Sequence, residues 1–134
     1  MSRVLVIESS ARQEGSVSRQ LTRDFIAQWQ AAHPADSIQV RDLAVEQVPH
    51  LDAHLLGGWM KPAQEHSDIE RAALERSNLL TAELQAADVL VLAAPMYNFA
   101  IPSTLKSWLD HVLRAGVTFQ YTETGPQGLL TGKR

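Results

Sequence analysis

Two apolar runs constrain this chain more than any other feature. "VLVI" occupies residues 4–7 and "VLVLAA" residues 89–94. Neither alternates with polar residues, so a strand built from either has no wet face. Such strands are buried on both sides, which favours a parallel sheet covered by helices. Parallel neighbours cannot be joined by a tight turn and need long crossovers. The stretch between the runs therefore has to supply helices.

It does. Residues 18–32 place Leu21, Phe25, Trp29 and Ala32 on one helical face, and Pro34 closes that region. "SIQVRDL" alternates Ile38 and Val40 with polar neighbours, the pattern of a half-exposed edge strand. Residues 44–66 contain Pro49, Gly57, Gly58 and Pro62 and are expected to form a long connector, the kind that is functional or mobile. "SDIE" at 67–70 has the form of a capping box. It opens a helix with Ile69, Ala73, Leu80 and Leu84 facing inward. After the second apolar strand, Pro102 suits the first turn of a further helix. Leu105, Trp108, Leu109 and Val112 form its stripe, and Gly116 is its expected stop. The residues after 116 are rich in turn formers. The order β-α-β-α-β-α predicts an α/β layered fold with right-handed crossovers.

Composition narrows the function classes. The 134 residues are 45% hydrophobic and 20% charged, with a net charge of -3, so one domain with a real core is expected. No basic patch stands out, which argues against nucleic acid as a partner. With no cysteine, disulfides, thiolate zinc sites and dithiol chemistry are excluded, and any redox role needs a bound cofactor. No apolar run is long enough for a membrane span, and residues 4–7 are too short for the core of a signal peptide. A cytoplasmic protein is expected.

In open parallel sheets, ligands bind beyond the carboxyl ends of the strands. Two unusual loops fall there. The first carries Ser9, Ser10, Ser16 and Ser18 before entering a helix. Hydroxyls and free N–H groups at a helix N-terminus suit an anion. One serine suffices for an N-cap, and the surplus points to phosphate. The loop lacks the G-x-G-x-x-G pattern, so a mononucleotide fits better than a dinucleotide. The second loop, "PMYNFAI" at 95–101, puts two aromatic residues, a methionine and an amide at a strand end. Met96, Tyr97 and Phe99 can wall a planar ring, and Asn98 can read its edge. Other candidates are weaker. His50 and His54 flank Asp52 as a metal pair with no evident third ligand. Trp59 and Met60 could form a substrate lid or simply bury a loop. Arg12 and Arg19 could neutralise phosphate or be solvated.

"SS" at 9–10, "SVS" at 16–18, "APMYNFAIPSTLKSWLD" at 94–110 and "RAGVTFQYTETGP" at 114–126 resemble the FMN-dependent NADH azoreductases. These belong with the flavodoxin-like NAD(P)H quinone reductases. The resemblance runs along nearly the whole chain. It implies a flavodoxin-like doubly wound parallel sheet, present as the N-terminal three β-α units with strand order 2-1-3. It implies phosphate contacts at Ser10, Ser16, Val17 and Ser18, and ring contacts at Met96, Tyr97, Asn98 and Phe99. Phe119, in "GVTF", is a further candidate for the substrate wall beside Trp59 and Met60. FMN is the implied cofactor and NADH or NADPH the hydride donor, with quinones and azo compounds reduced by two electrons in a ping-pong sequence. A homodimer is the implied assembly, and no side chain is expected to act as catalyst.

Family members continue past "GKR" into a further strand, a flavin-gripping loop and more helix and strand. Residues 1–134 are therefore expected to be one FMN-binding domain lacking its C-terminal part. The second apolar strand should then expose an unpaired edge, and the Leu105–Trp108–Leu109–Val112 stripe should be left partly wet. Two other readings are a non-enzymatic FMN electron carrier and an inactive fragment that only packs against a partner.

Overall fold

The computed structural model describes residues 1–134. Strand β1 (Arg3–Glu8) lies at the centre of a three-stranded parallel sheet. It is flanked by β2 (Ser37–Asp42) and β3 (Val89–Ala93), giving the order β2-β1-β3. Val4 stands opposite Ile38 on one side and Val89 on the other. The apolar composition of β1 has its cause here: Val4, Leu5, Val6 and Ile7 are each no more than 2% exposed. Alternate residues feed two cores. Val4 and Val6, with Val89, pack on Phe25, Ile26 and Trp29 of helix α1 (Val17–Ala32). Leu5 and Ile7 join the larger core with Leu43, Leu80, Leu84, Leu105, Trp108 and Val112. That core lies under α3 (Asp68–Ala86) and α4 (Ser103–Val112). The layers are those of a doubly wound fold.

The helix α1 face is rotated from the expected one. Phe25 and Trp29 pack inward, but Leu21 is 64% exposed and Ala32 is also on the surface, whereas Arg19 and Thr22 are buried. The cause is Glu8, a buried carboxylate at the end of β1 that draws both polar side chains inward. On α3, Leu80 and Leu84 face the core as expected, but Ile69 is exposed. The capping box forms in full: Ser67 accepts from the Glu70 amide and Glu70 from the Ser67 amide.

The expected connector is not structureless. Residues Ala53–Met60 form helix α2, with the Asp52 side chain capping the Leu55 amide at 3.0 Å, and Ala63–Glu65 form a 3₁₀ turn. Gly57 and Gly58 serve close approach rather than chain reversal. A Cβ on Gly57 would meet Glu70 Oε2 at 2.1 Å, and one on Gly58 would meet Leu74 Cγ at 2.7 Å. They let α2 lie flat on α3.

The end of the chain also holds more order than its turn formers suggest. Strands β4 (Phe119–Thr122) and β5 (Gly125–Gly128) form an antiparallel hairpin. Leu130 packs on the larger core. The Leu90 amide donates to Arg134 O at 2.7 Å and the Arg134 amide to Asp88 O at 3.0 Å. That pair of bonds is a parallel bridge with Val89 opposite Arg134. Lys133 Nζ donates to the Gln85 and Ala87 carbonyls at the end of α3, a favourable place for a cation. The expected wet stripe on α4 is therefore corrected. Leu105, Trp108 and Val112 are 1–2% exposed and Leu109 is partly buried. The edge of β3 is covered only at its beginning, and Leu92 stays 47% exposed.

Candidate functional site

The loops after β1 and β3 meet at the carboxyl ends of the strands. Ser9 Oγ donates to Ala93 O at 2.6 Å, tying the two strand ends together. Farther out, the Ala11 amide donates to the Tyr97 hydroxyl at 3.1 Å, and Ser10 Oγ lies 3.5 Å from the same oxygen. The Ser10 hydroxyl and then the Ala11 amide hold the Tyr97 pKa below the ordinary phenol value. A cleft of about 390 Å³ lies between the loops. It brings together Ser10, Ser16, Val17, Ser18, Met96 and Tyr97, which are six of the expected cofactor contacts. Arg12 is exposed at its rim and makes no ion pair.

One wall of the cleft is the start of α1. Ser16 is its N-cap, accepting from the Arg19 amide at 3.2 Å. Ser16 Oγ also donates to Ser10 Oγ at 2.9 Å and lies 3.3 Å from Ser18 Oγ. The three hydroxyls form one cluster. The Val17 and Ser18 amides, by contrast, make no hydrogen bond within the protein. Unclaimed N–H groups in the first turn of a 16-residue helix carry the positive end of its dipole. This wall suits a doubly charged oxyanion.

The other wall ends in a tight reversal. Tyr97 and Ala100 exchange backbone hydrogen bonds of 2.9 and 3.0 Å around Asn98 and Phe99. Both central residues have positive φ, 51° and 66°, the pattern of a type I′ turn. Asparagine tolerates that backbone; phenylalanine is strained by it. Phe99 is 95% exposed and Met96 73%. Asn98 and Phe99 are not among the residues that line the cleft.

The remaining candidates lie elsewhere. Trp59 sits on α2 under the Arg114 guanidinium, 5.7 Å from the ring centre, and its Nε1 is buried without an acceptor. Met60 is 81% exposed. Phe119 packs edge-on against Tyr121 at 5.3 Å. None of these three lines the cleft. His50 Nδ1 is 3.2 Å from Ser107 Oγ, beside buried His111, whose Nε2 meets Pro49 O at 2.9 Å. Burial holds the His111 pKa below the ordinary imidazole value. A larger groove of about 650 Å³ runs beside α3, but its charged lining of Arg41, Glu46, Glu75 and Arg76 offers both signs and no flat apolar wall.

Arg19, expected either to neutralise phosphate or to be solvated, does neither directly. Arg19 is 7% exposed, not solvated, and lies beneath the serine loop between Glu8 and Asp42. Its partners come from two strands, so no local pattern marks it.

A parallel sheet of order 2-1-3 with helices on both faces is the arrangement of a flavodoxin-like protein, and the family model described as "Flavodoxin-like fold" matches residues 2–134. Among curated relatives, an FMN-dependent NADH:quinone oxidoreductase 2 of Pseudomonas fluorescens is 78% identical over 134 residues, all of this chain and 67% of the relative. An FMN-dependent NADH:quinone oxidoreductase 3 of Pseudomonas aeruginosa is 73% identical across this chain and 63% of its own length. The azoreductase structure from Bacillus anthracis str. Sterne superposes with a TM-score of 0.92 at 32% identity, covering 99% of this chain and 65% of that one. An FMN-dependent NADH-azoreductase from Bacillus anthracis str. Ames Ancestor, in complex with FMN, gives 0.91 at 31% identity, covering 100% and 66%. The chain belongs to this family of FMN-dependent NADH:quinone oxidoreductases and azoreductases. It spans about two thirds of the length of these relatives. No helix is long and apolar enough to cross a membrane.

Proposed function

We propose that residues 1–134 form one FMN-binding unit of an NAD(P)H oxidoreductase that reduces quinones and azo compounds in the cytoplasm. The observation that carries this reading is the Ser10–Ser16–Ser18 cluster beside the unclaimed Val17 and Ser18 amides, facing Met96 and Tyr97 across one cleft. The donor set fits FMN. Hydroxyls and N–H groups suit its phosphate, and the thioether and phenol offer a flat, polarisable wall for its ring. When bound, FMN supplies two-electron chemistry that side chains lack.

The protein residues bind and orient. Ser10, Ser16, Val17 and Ser18 hold the phosphate end. Met96, Tyr97, Asn98 and Phe99 hold the ring end, and backbone N–H groups there favour negative charge on the reduced ring. The exposed side of the loop at Met96 and Phe99 would admit the donor NAD(P)H and then the acceptor in turn, as a ping-pong sequence needs. Trp59, Met60 and Phe119 are proposed as acceptor contacts beyond the cleft. A homodimer would cover apolar surface that one chain leaves wet, including Met60, Ile69 and Phe99 at 59–95% exposure.

The test is to titrate the protein with FMN and then follow NADH oxidation with menadione as acceptor. Flavin binding with acceptor-dependent NADH loss supports the reading. Flavin binding without turnover leaves an electron carrier, and no flavin binding at all leaves a packing module.

A further inference from the structure

The cation under the serine loop is satisfied to an unusual degree. Arg19 Nε donates to Arg12 O at 2.7 Å. Nη2 donates to Ser10 O at 2.7 Å and Asp42 Oδ1 at 3.0 Å. Nη1 donates to Glu8 Oε2 at 3.1 Å and Asp42 Oδ2 at 2.7 Å. These contacts use the whole five-donor fork of a guanidinium. Glu8, 5% exposed, also accepts from the Thr22 hydroxyl at 2.6 Å. One cation thus faces two carboxyl groups, and the cluster has no spare positive charge for an anion above it. Its contribution has to be geometric.

The geometry is in the carbonyls. Ser10 and Arg12 belong to the loop that lines the cleft, and both turn their oxygens down onto Arg19. In a trans peptide the N–H points opposite to the C=O. The Ala11 and Gln13 amides are therefore turned away from Arg19. Ala11 N–H reaches the Tyr97 hydroxyl on the far wall, and Gln13 N–H has no acceptor in the protein. A loop meant to hold an anion has to keep carbonyl oxygens out of the site. Arg19 gives those oxygens somewhere else to go.

We propose that Arg19 is a positioning residue: by drawing the Ser10 and Arg12 carbonyls inward it holds the serine loop in its anion-accepting form and sets the preference for FMN over riboflavin. The proposal rests on the reading of that loop as the phosphate site. Lysine keeps the charge but not the planar fork, so Arg19→Lys isolates geometry from electrostatics.

The experiment measures dissociation constants for FMN and riboflavin, with amide hydrogen exchange across residues 10–18 of the flavin-free protein. Arg19→Lys is expected to lower the FMN-to-riboflavin preference about tenfold, the size of one lost charge-assisted hydrogen bond. Exchange should accelerate at the loop, while β1 and residues 25–32 keep wild-type protection. An unchanged preference, an equal loss for both flavins, or a lower melting temperature with normal loop exchange would each overturn the proposal. Should Arg19→Lys fail to fold, Asp42→Asn replaces it, because it weakens the fork from the β2 side. A preference reduced about threefold there, the size of a weak net hydrogen bond, supports the proposal, and an unchanged one defeats it. Equal wild-type affinity for the two flavins would instead sink the phosphate reading, and this proposal with it. A strong wild-type preference that both variants retain sinks only the role given to Arg19.

Discussion

Phe99 holds a left-handed backbone with nothing of its own chain over the ring. Such strain, on the order of 1 kcal/mol for a non-glycine residue, persists where the side chain is wanted at that spot. Phe99→Gly is therefore expected to raise the melting temperature slightly and weaken FMN, a trade that calorimetry and flavin titration can read on the same sample. Loss of stability in that variant would mean the turn is not strained. The serines make a separate prediction. Ser16→Ala with Ser18→Ala should cost roughly 1.5–3 kcal/mol per lost charge-assisted bond, about ten- to a hundredfold in FMN affinity for each. Riboflavin affinity should move less than about threefold by the same arithmetic. Comparable losses for both flavins would take the serines out of contact with phosphate. What the sequence revealed at this scale was a surplus of serines over what one N-cap needs. It could not reveal the turn at Asn98 and Phe99, because phenylalanine is not a turn former, nor the burial of Arg19, whose carboxyl partners arrive from β1 and β2.

The α2–α3 pair shows why a glycine pair misleads. Gly57 and Gly58 read as breaks in a connector, yet each marks a place where one helix touches another. Nothing in local periodicity separates those two uses of glycine. The capping box of α3 was legible because its partners are three residues apart, and the structure adds that Lys61 Nζ reaches Glu70 Oε2 at 2.9 Å. The Ser67 amide first, then Lys61, lower the Glu70 pKa to about 2. A carboxyl depressed on folding stabilises the native state above its unfolded value near 4.5, and that contribution fades as pH falls toward about 2. Glu70→Gln should therefore lower the urea midpoint at pH 7, and the gap from wild type should narrow between pH 4.5 and about 2. A gap independent of pH would show that charge at Glu70 does not matter. Thermal unfolding followed by circular dichroism would serve equally well.

Across the whole molecule, the two apolar runs and the alternating strand marked a parallel sheet, the family resemblance implied its order 2-1-3, and β2 lies at an edge as its pattern requires. The far side of β3 was harder to foresee. Arg134 bonds its first residues, while Leu130 packs on the larger core and Lys133 on the end of α3, all in a segment whose composition suggests only turns. Beyond Arg134 the edge of β3 remains open, with Leu92 half exposed, and open apolar edges recruit other strands. The 134-residue chain should associate beyond a dimer at micromolar concentration, and Leu92→Lys should shift it toward dimer in sedimentation velocity without lowering its melting point. An unchanged assembly size in that variant would show that the β3 edge is not the contact. The central place of β1 has a consequence during synthesis. Its partner β2 is available once residue 42 has left the ribosome, but its other flank waits for residue 93. At about 5–20 residues per second, that delay is roughly 3–10 s. For those seconds β1, with its buried run Val4–Ile7, has one bare side, which makes it a segment for a ribosome-associated chaperone to shield.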